Sequence, residues 1–361
     1  MSRNPGLAVW PATSTHHYLR SFYDALGRCG SHVRIDGLPI NDRFLREHSA
    51  EVSAIHFHWP EFIWQSQDER KWADRARTIV GLWRFLRLAR RLGIPVIWTV
   101  HNLGRHEGSD WLDRVGVGII RRSAALAIVH SEQTRESLTQ EFDVDPRKIV
   151  SMPIGATPSL LPTPESRVET LETVGLTPAR KTLLCFGLLR RYKGVDIALD
   201  ALPMLGDTCQ LIVAGKPHDA AFGRQIEAMA RRAPNVRTIL EAISEQHLSN
   251  LLNASDAVLL PYRRITGSAA LLTALAAERG VVVADLPYFR EVLRPEPDAA
   301  AFFRPGSASD LASAITTFLS VPLEIRNAAA GRLATRYDWP TVVEPVAVHI
   351  RRLTSDLVPR L

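Results

Sequence analysis

Two stretches in the second half of the chain carry residue types and spacings suited to binding phosphate. In Cys185-Phe-Gly-Leu-Leu-Arg-Arg-Tyr-Lys-Gly194, Gly187 permits a tight turn, and Arg190, Arg191 and Lys193 follow within one loop before Gly194 admits a helix. The planar fork of arginine and the mobile ammonium of lysine together suit the oxygens of a diphosphate. A solvated basic loop ahead of a helix explains the same residues, and taken alone the stretch balances the two readings. In Leu260-Pro-Tyr-Arg-Arg-Ile-Thr-Gly-Ser268, the residues Thr266, Gly267 and Ser268 precede the apolar run Ala269–Ala277. That placement puts them at a helix N-terminus, whose free N–H groups and positive dipole end attract anions. Tyr262, Thr266, Gly267 and Ser268 are therefore candidate anion contacts, beside the simpler reading that Thr266 or Ser268 merely caps the helix.

A second kind of chemistry lies in the first half. His56-Phe-His-Trp-Pro-Glu61 closes one predicted strand, Trp98-Thr-Val-His-Asn102 with His106-Glu107 closes the next, and Val129-His-Ser131 closes a third. Histidines at successive strand ends are expected to converge on one rim of a sheet, as general base, hydroxyl-binding group or metal ligand. A single such histidine is more often structural, and four in register weigh against that. No ligand spacing diagnostic of a metal site occurs, so metal is the weaker idea. The loop Pro11–His17 precedes a helix on the same rim, either as an ordinary connection or as a close approach to phosphate.

These residues need a scaffold, and the patterning supplies one. Short β-like runs alternate with helical patterns almost throughout, as in a parallel α/β sheet. Strands are expected at Gly6–Trp10, Val33–Ile35, Ala54–His58, Val96–His101 and Ala125–His130, with helices such as Tyr18–Cys29 and Arg70–Leu92 between them. Prolines 146, 153, 158, 162 and 164 mark a linker near 152–165. The pattern then restarts with strands at Thr182–Phe186, Cys209–Ala214, Val236–Leu240, Ala257–Pro261 and Val281–Ala284. The expected domains are residues 1–160 and 161–336, with the closing helical run Trp339–Leu353 packed back on the first half. Two such halves would face each other across a cleft, where open α/β sheets bind ligands.

The 361 residues suit two domains, and 46% hydrophobic with 23% charged residues is a globular balance. Cys29, Cys185 and Cys209 are scattered and odd in number, so they read as buried small hydrophobes in a reducing cytoplasm. The short apolar N-terminus reads as a strand rather than a signal peptide, and no run is long enough to span a membrane. The net charge of +6 favours an anionic partner. Nucleic acid is a poor fit, because the basic residues are not interleaved with aromatics on a recognisable module. Arg70–Arg91 holds eight basic residues against one acid, Asp74, with Ile79, Val80, Trp83 and Leu86 expected on one face. That is a sheet-covering helix which also has the charge to dock on anionic lipid at the inner face of a membrane. No GxGxxG follows the first strand, which excludes the common dinucleotide fingerprint.

Taken in order, the motifs resemble something specific. Gly187…Arg190-x-x-Lys193-Gly194, Leu211-Ile-Val-Ala-Gly215, Ser255-Asp256, Leu259-Leu-Pro261, Gly267-Ser268 and Leu271–Ala277 resemble the C-terminal half of GT-B glycosyltransferases of the family 4 type, over roughly residues 180–295. Arg336-Tyr-Asp-Trp339 resembles that family's crossover into its last helix. The resemblance implies a GT-B fold and a nucleotide-sugar donor as co-substrate, with no cofactor and no metal. It implies donor contacts from Gly187, Arg190, Lys193, Tyr262, Thr266, Gly267 and Ser268. The segments around His58-Trp59 and His101-Asn102 resemble the acceptor halves of the same proteins, which makes His58, Trp59, Asn102 and His106 acceptor candidates. His101 sits where the family keeps an active-site histidine.

One departure stands out. The family's two glutamates, eight residues apart, align with Ile265 and Thr273. That points to a divergent subset such as the exopolysaccharide mannosyltransferases, and leaves retaining and inverting routes both open. An inverting transfer needs a base, for which Glu107, Glu61 and His101 are the contenders. The expected activity is hexose transfer, with GDP-mannose the first donor to consider, onto a lipid-linked or polysaccharide acceptor. A non-catalytic sugar-nucleotide-binding partner of a glycan-assembly complex is the alternative.

Overall fold

A computed structural model describes residues 6–65, 72–101, 110–156 and 161–355. The chain divides into two compact units, Met1–Gly155 with Trp339–Leu361, and Ala156–Asp338.

The first unit runs β1 (Gly6–Trp10), α1 (His17–Arg28), β2 (Val33–Asp36), α2 (Asp42–His48), β3 (Val52–His58), α3 (Trp72–Arg91), β4 (Val96–Val100), α4 (Trp111–Ser123), β5 (Ala124–Val129), α5 (Glu132–Gln140) and β6 (Ile149–Ser151), and is completed by the closing helix Trp339–Ser355. Its six strands pair in parallel in the order β2-β1-β3-β4-β5-β6. Every residue of β3 and β4 is buried, as expected of strands covered on both faces. One face carries Ile55, Phe57, Trp98, Val100, Ala127 and Val129 into a core under α3 and α4.

Alternation along the strands sends His56 and His58 to the opposite face. The pairing His58↔Thr99↔Ile128 puts Thr99, His101 and His130 on that face as well. This face is covered by α1, whose buried stripe includes Tyr18, Leu19, Phe22, Tyr23 and Leu26, and by Trp339 of the closing helix.

The second unit runs α6 (Arg167–Thr173), β7 (Lys181–Phe186), α7 (Val195–Ala201), β8 (Cys209–Ala214), α8 (Ala220–Ala230), β9 (Val236–Ile239), α9 (Glu245–Ala254), β10 (Ala257–Leu260), α10 (Ala269–Ala276), β11 (Val281–Ala284), α11 (Pro287–Leu293), β12 (Ala300–Phe303), α12 (Ala308–Ser320) and α13 (Leu323–Arg336). The strand order β9-β8-β7-β10-β11-β12 is the Rossmann order, and every pairing is parallel. Both units are therefore Rossmann-like. Their topological switch points fall between β1 and β3 in the first and between β7 and β10 in the second.

The edge strands β6 and β12 are absent from the sequence reading. β6 is three residues lying among the prolines that read as a linker, and β12 opens on two alanines, which have little strand preference. The basic helix is also corrected. Ile79, Leu82, Phe85, Leu86 and Ala89 face the core, whereas Val80 and Trp83 are exposed. A period of 3.6 residues puts residues 79, 82 and 86 on one stripe and residues 80, 83 and 87 on the next. Arg75 is buried, bonded to Asp110 at 2.6 and 3.1 Å and to Asp113 at 3.2 Å, and so cannot face a membrane. Cys185 and Cys209 are buried as expected, while Cys29 is only half-buried. No helix among the described residues is long and apolar enough to cross a membrane.

Candidate active site

In the second unit, the loops that leave β7 and β10 meet at the switch point, and backbone and side chains stitch them together. Arg263 N–H donates to Tyr192 O at 2.8 Å, and the Arg263 guanidinium reaches Arg191 O and both carboxylate oxygens of Asp196. Gly194 has a left-handed φ of +68°, and a Cβ there would overlap the carbonyl oxygen of Pro261. Only glycine allows the two loops to approach this closely.

The basic residues of the first loop divide by role. Arg191 donates to Gln225 at 3.0 Å and lies over the Phe222 ring, so it is structural. Arg190 and Lys193 are half-buried, and among the described residues neither forms an ion pair with a carboxylate. Lys193 Nζ lies 5.7 Å from the centroid of the Tyr262 ring. Burial, with Arg190 beside it, pushes the Lys193 ammonium down to about 8. Two neighbouring cations with no carboxylate paired to them among the described residues form a site that gains from an anionic ligand.

Across from them, Ser268 is the N-cap of α10, its Oγ accepting Leu271 N–H at 3.1 Å. The capping reading thus holds for its side chain. Thr266 and Gly267 are half-buried in the turn that precedes it. Among the described residues the Tyr262 and Tyr288 hydroxyls are buried without a partner at hydrogen-bond geometry, and burial pushes both phenols up. Ile265 is half-buried, and Thr273 Oγ1 donates back to Ala269 O at 2.9 Å, so neither position places a carboxylate here.

In the first unit, the histidines gather on the α1 face of the sheet. Tyr23 Oη is 2.8 Å from both His56 Nδ1 and His58 Nε2; His56 Nε2 is 2.8 Å from Thr99 Oγ1, and His58 Nδ1 is 3.0 Å from His101 Nε2. His101 is the first residue beyond β4, half-buried, with its ring stacked on that of Trp59 at 3.9 Å and 15° from parallel. Tyr18 meets His101 edge-on at 5.0 Å and His130 at 5.5 Å. His130 Nδ1 donates to Met152 O at 2.9 Å, which leaves its Nε2 an acceptor. That nitrogen and the Tyr18 hydroxyl are buried without a hydrogen-bond partner among the described residues.

Burial pushes every one of these imidazoles toward the neutral form. It takes His56 to about 3 and His130 to about 4, and His58 and His101 well below the ordinary range, helped by the neighbouring histidines.

One sequence expectation changes here. The histidines do not all sit on an open rim: His56 and His58 are completely buried. Both ring nitrogens of His58 bond within the protein, to Tyr23 and His101, which leaves neither for an acceptor hydroxyl. The Thr13 hydroxyl and N–H bind Asp36 at 2.9 and 2.6 Å and anchor the loop after β1. Trp59 is half-buried and Glu61 half-buried on the short turn Pro60–Ile63. Asn102, His106 and Glu107 lie outside the described residues. Among the described residues, no group of three metal-ligating side chains is disposed to hold an ion.

Tyr18, Tyr23 and Thr99 escaped the sequence reading. The two tyrosines look like an ordinary apolar helix stripe, and the signal that could have found them is their position on the helix that follows β1 at the switch point.

Comparison with known proteins converges on one class. Residues 180–320 match the family model described as "Glycosyl transferases group 1", and residues 75–159 match "Glycosyltransferase Family 4". The chain is 26% identical over 285 residues to a GDP-mannose:glycolipid 4-beta-D-mannosyltransferase of Xanthomonas campestris pv. campestris, covering 75% of this chain and 70% of the relative. It is 30% identical over 137 residues to a lipopolysaccharide core biosynthesis mannosyltransferase of Rhizobium meliloti, covering 36% and 38%. Among solved structures, sucrose-phosphate synthase from Thermosynechococcus elongatus superposes with a TM-score of 0.74 at 17% identity, covering 98% of this chain and 100% of that one. Anabaena HepE in complex with UDP and glucose gives 0.70 at 17% identity, covering 96% and 99%.

Proposed function

Because this chain is a nucleotide-sugar-dependent GT-B glycosyltransferase of the family 4 type, we propose that it moves a hexose, mannose from GDP-mannose in the first instance, onto a lipid-linked or polysaccharide acceptor. The observation that carries the reading is the Arg190–Lys193 pair. Two cations without carboxylate partners among the described residues stand at the switch point of the second sheet, where such sheets bind ligands. The second unit then holds the donor diphosphate through these side chains and through backbone N–H groups around Gly187 and Thr266–Ser268, with Tyr262 packed beneath. Charge on the leaving diphosphate grows in the transition state, so preorganised cations there lower the barrier. They do the work a divalent ion does elsewhere, and the enzyme is metal-independent.

The first unit takes the acceptor, with Trp59, Asn102 and His106 around His101. Glu61, Glu107 and His101 are the contenders to receive the acceptor proton in an inverting transfer. GDP-mannose and a glycolipid are what the Xanthomonas relative's name specifies for that protein, and they set the first substrates to try.

A membrane-proximal setting on the cytoplasmic side fits the other edge of the first sheet. A cavity of about 660 Å³ opens there at the start of β4 and β5, lined by Trp83, Leu86, Arg87, Arg90, Arg122 and Lys148. Among the described residues, none of those four cations pairs with a carboxylate. The Arg87 guanidinium lies 4.7 Å from the centroid of the Trp83 ring. Exposed apolar surface beside unpaired positive charge is the makeup of a surface that rests on anionic lipid.

Transfer measured with radiolabelled GDP- and UDP-sugars against lipid-linked acceptors tests the reading. Binding of a donor without transfer or hydrolysis would favour a non-catalytic sugar-nucleotide-binding partner, the reading that the replacement of both glutamates by Ile265 and Thr273 supports.

A further inference from the structure

We infer that Thr99, His56, Tyr23 and His58 form one polarised hydrogen-bond chain that fixes His101 as the Nδ1–H tautomer, so that His101 acts as a hydrogen-bond donor and not as the base. The tautomer itself follows from the geometry alone. Only its consequence for proton transfer rests on the glycosyl-transfer reading.

Four contacts of 2.8, 2.8, 2.8 and 3.0 Å link the five side chains in the sequence Thr99–His56–Tyr23–His58–His101. Each contact needs one hydrogen. A neutral imidazole carries one N–H and one lone pair, and a hydroxyl carries one O–H. Each interior histidine must therefore accept on one side and donate on the other. Tyr23 could accept from both histidines, but its own buried O–H would then have nothing among the described residues to receive it. The whole chain therefore points one way or the other. The complete burial of His56, His58 and Thr99 disfavours adding a proton to the interior of the chain.

The two ends of the chain decide its direction. Thr99 is fully buried, and among the described residues His56 is the one partner of its hydroxyl. If the chain ran from His101 toward Thr99, the Thr99 hydrogen would be a buried donor with nothing to receive it. Such a group biases an equilibrium by on the order of tenfold or more. His101, in contrast, is half-buried, so its outer nitrogen can find water, protein or substrate in either role. The chain therefore runs outward. Thr99 O–H donates to His56 Nε2, His56 Nδ1–H to Tyr23 Oη, Tyr23 O–H to His58 Nε2, and His58 Nδ1–H to His101 Nε2. His101 has its Nε2 lone pair occupied and presents Nδ1–H.

A histidine held in this form gives a hydrogen bond to an oxygen of a bound sugar. It cannot take a proton at Nδ1 without first reversing its bond to His58 and the Tyr23–His58 bond behind it, which strands a buried hydroxyl hydrogen. The base for an inverting transfer is then a carboxylate, and of the two contenders Glu61 is the one that follows directly on β3. Thr99, His56, Tyr23 and His58 are positioning residues that act through His101.

The test is 15N NMR of the full-length, histidine-labelled protein at pH 7 without substrate, with His101 assigned by its loss in His101→Gln. The expected wild-type spectrum shows His101 protonated at Nδ1. Thr99→Val keeps the shape and removes the terminal donor, and should bring the two His101 tautomers to comparable populations; Thr99→Ser should keep the wild-type pattern. A wild-type His101 protonated at Nε2, or on both nitrogens, overturns the inference, as does a Thr99→Val protein whose His101 is unchanged. Should Thr99→Val fail to fold, the wild-type spectrum and Tyr23→Phe, which cuts the chain at its centre, decide the matter in the same way. Because no donor or acceptor is present, absence of transferase activity would count against the proposed function and leave this result standing.

Discussion

The indole of Trp59 lies flat against the imidazole of His101, with ring centroids 3.9 Å apart and planes 15° from parallel. To reach that position Trp59 takes a left-handed backbone, φ +44° and ψ +54°, which is rare for a bulky residue. Strain of this kind is kept where the surroundings over-determine it, and it gathers at functional sites. Trp59→Ala is expected to lower kcat by up to about tenfold, the worth of one aromatic contact. Trp59→Phe should retain most of the activity. Steady-state kinetics on the two variants separates ring packing from a role for the indole N–H.

His101→Ala should cut turnover by on the order of a hundredfold, the scale of one lost hydrogen-bond donor to the reacting centre. Thermal stabilisation by the nucleotide-sugar donor should survive, because the diphosphate contacts lie in the second unit. A loss confined to donor affinity, with kcat intact, would remove His101 from the chemistry.

Lys193→Ala is expected to lower kcat/KM by about a hundredfold or more, and a loss below about threefold with intact folding would exclude the diphosphate role. The pH dependence is a sharper check. The Lys193 ammonium is depressed to about 8 in the free protein, and an anionic ligand binds the charged form. Donor affinity should therefore be full below about pH 8 and weaken as pH rises beyond it. Lys193→Arg should move that fall upward and Lys193→Ala should abolish it, read as donor Kd across pH 6.5–9.5.

Activity should persist in excess EDTA. If it disappears and returns only with manganese or magnesium, the account of cationic side chains replacing a metal is wrong.

Acid should weaken the first unit before it protonates the native histidines. His56 and His130 sit at about 3 and about 4 when folded, against about 6.5 when unfolded. The unfolded chain binds the extra protons between those values, so stability is complete above about pH 6.5 and falls as pH drops toward 4. For His130 the loss reaches on the order of 3 kcal/mol. Thermal unfolding at pH 7.5 and pH 5 should show the decline, and His130→Gln should flatten it.

Replacing Arg87 and Arg90 together by Gln should reduce binding to phosphatidylserine-containing vesicles by roughly thirtyfold, at about 1 kcal/mol per residue. Binding to neutral vesicles should not change. Vesicle co-sedimentation that treats wild type and variant alike would detach this surface from any membrane role.

Much of the fold is legible in the amino-acid order. Runs such as Cys209–Ala214 and Val281–Ala284 appear as strands with the bounds the patterning gives, because buried parallel strands are nearly all apolar. The basic loop at Arg190–Lys193 is legible for a similar reason: a glycine turn, two charges and a helix start are adjacent in the chain. The short strands Ile149–Ser151 and Ala300–Phe303 are not, since the first is three residues among prolines and the second begins on two alanines.

The sequence by itself determined which residues could do chemistry and that two parallel α/β units carry them, because strand alternation, helix period and glycine turns are local properties. Tertiary structure decided what those residues do. His56 and His58 lie two apart in one strand and read like His101, yet α1 covers them and leaves His101 half-exposed. Arg75 and Arg87 read alike in one basic helix, yet Asp110 and Asp113 bury the first while the second stays in solvent beside Trp83. Tyr23 and Thr99 became parts of the site only when packing set them against histidines 33 and 43 residues away. Burial and hydrogen-bond partnership are relations between distant segments, and they come into being when the chain folds.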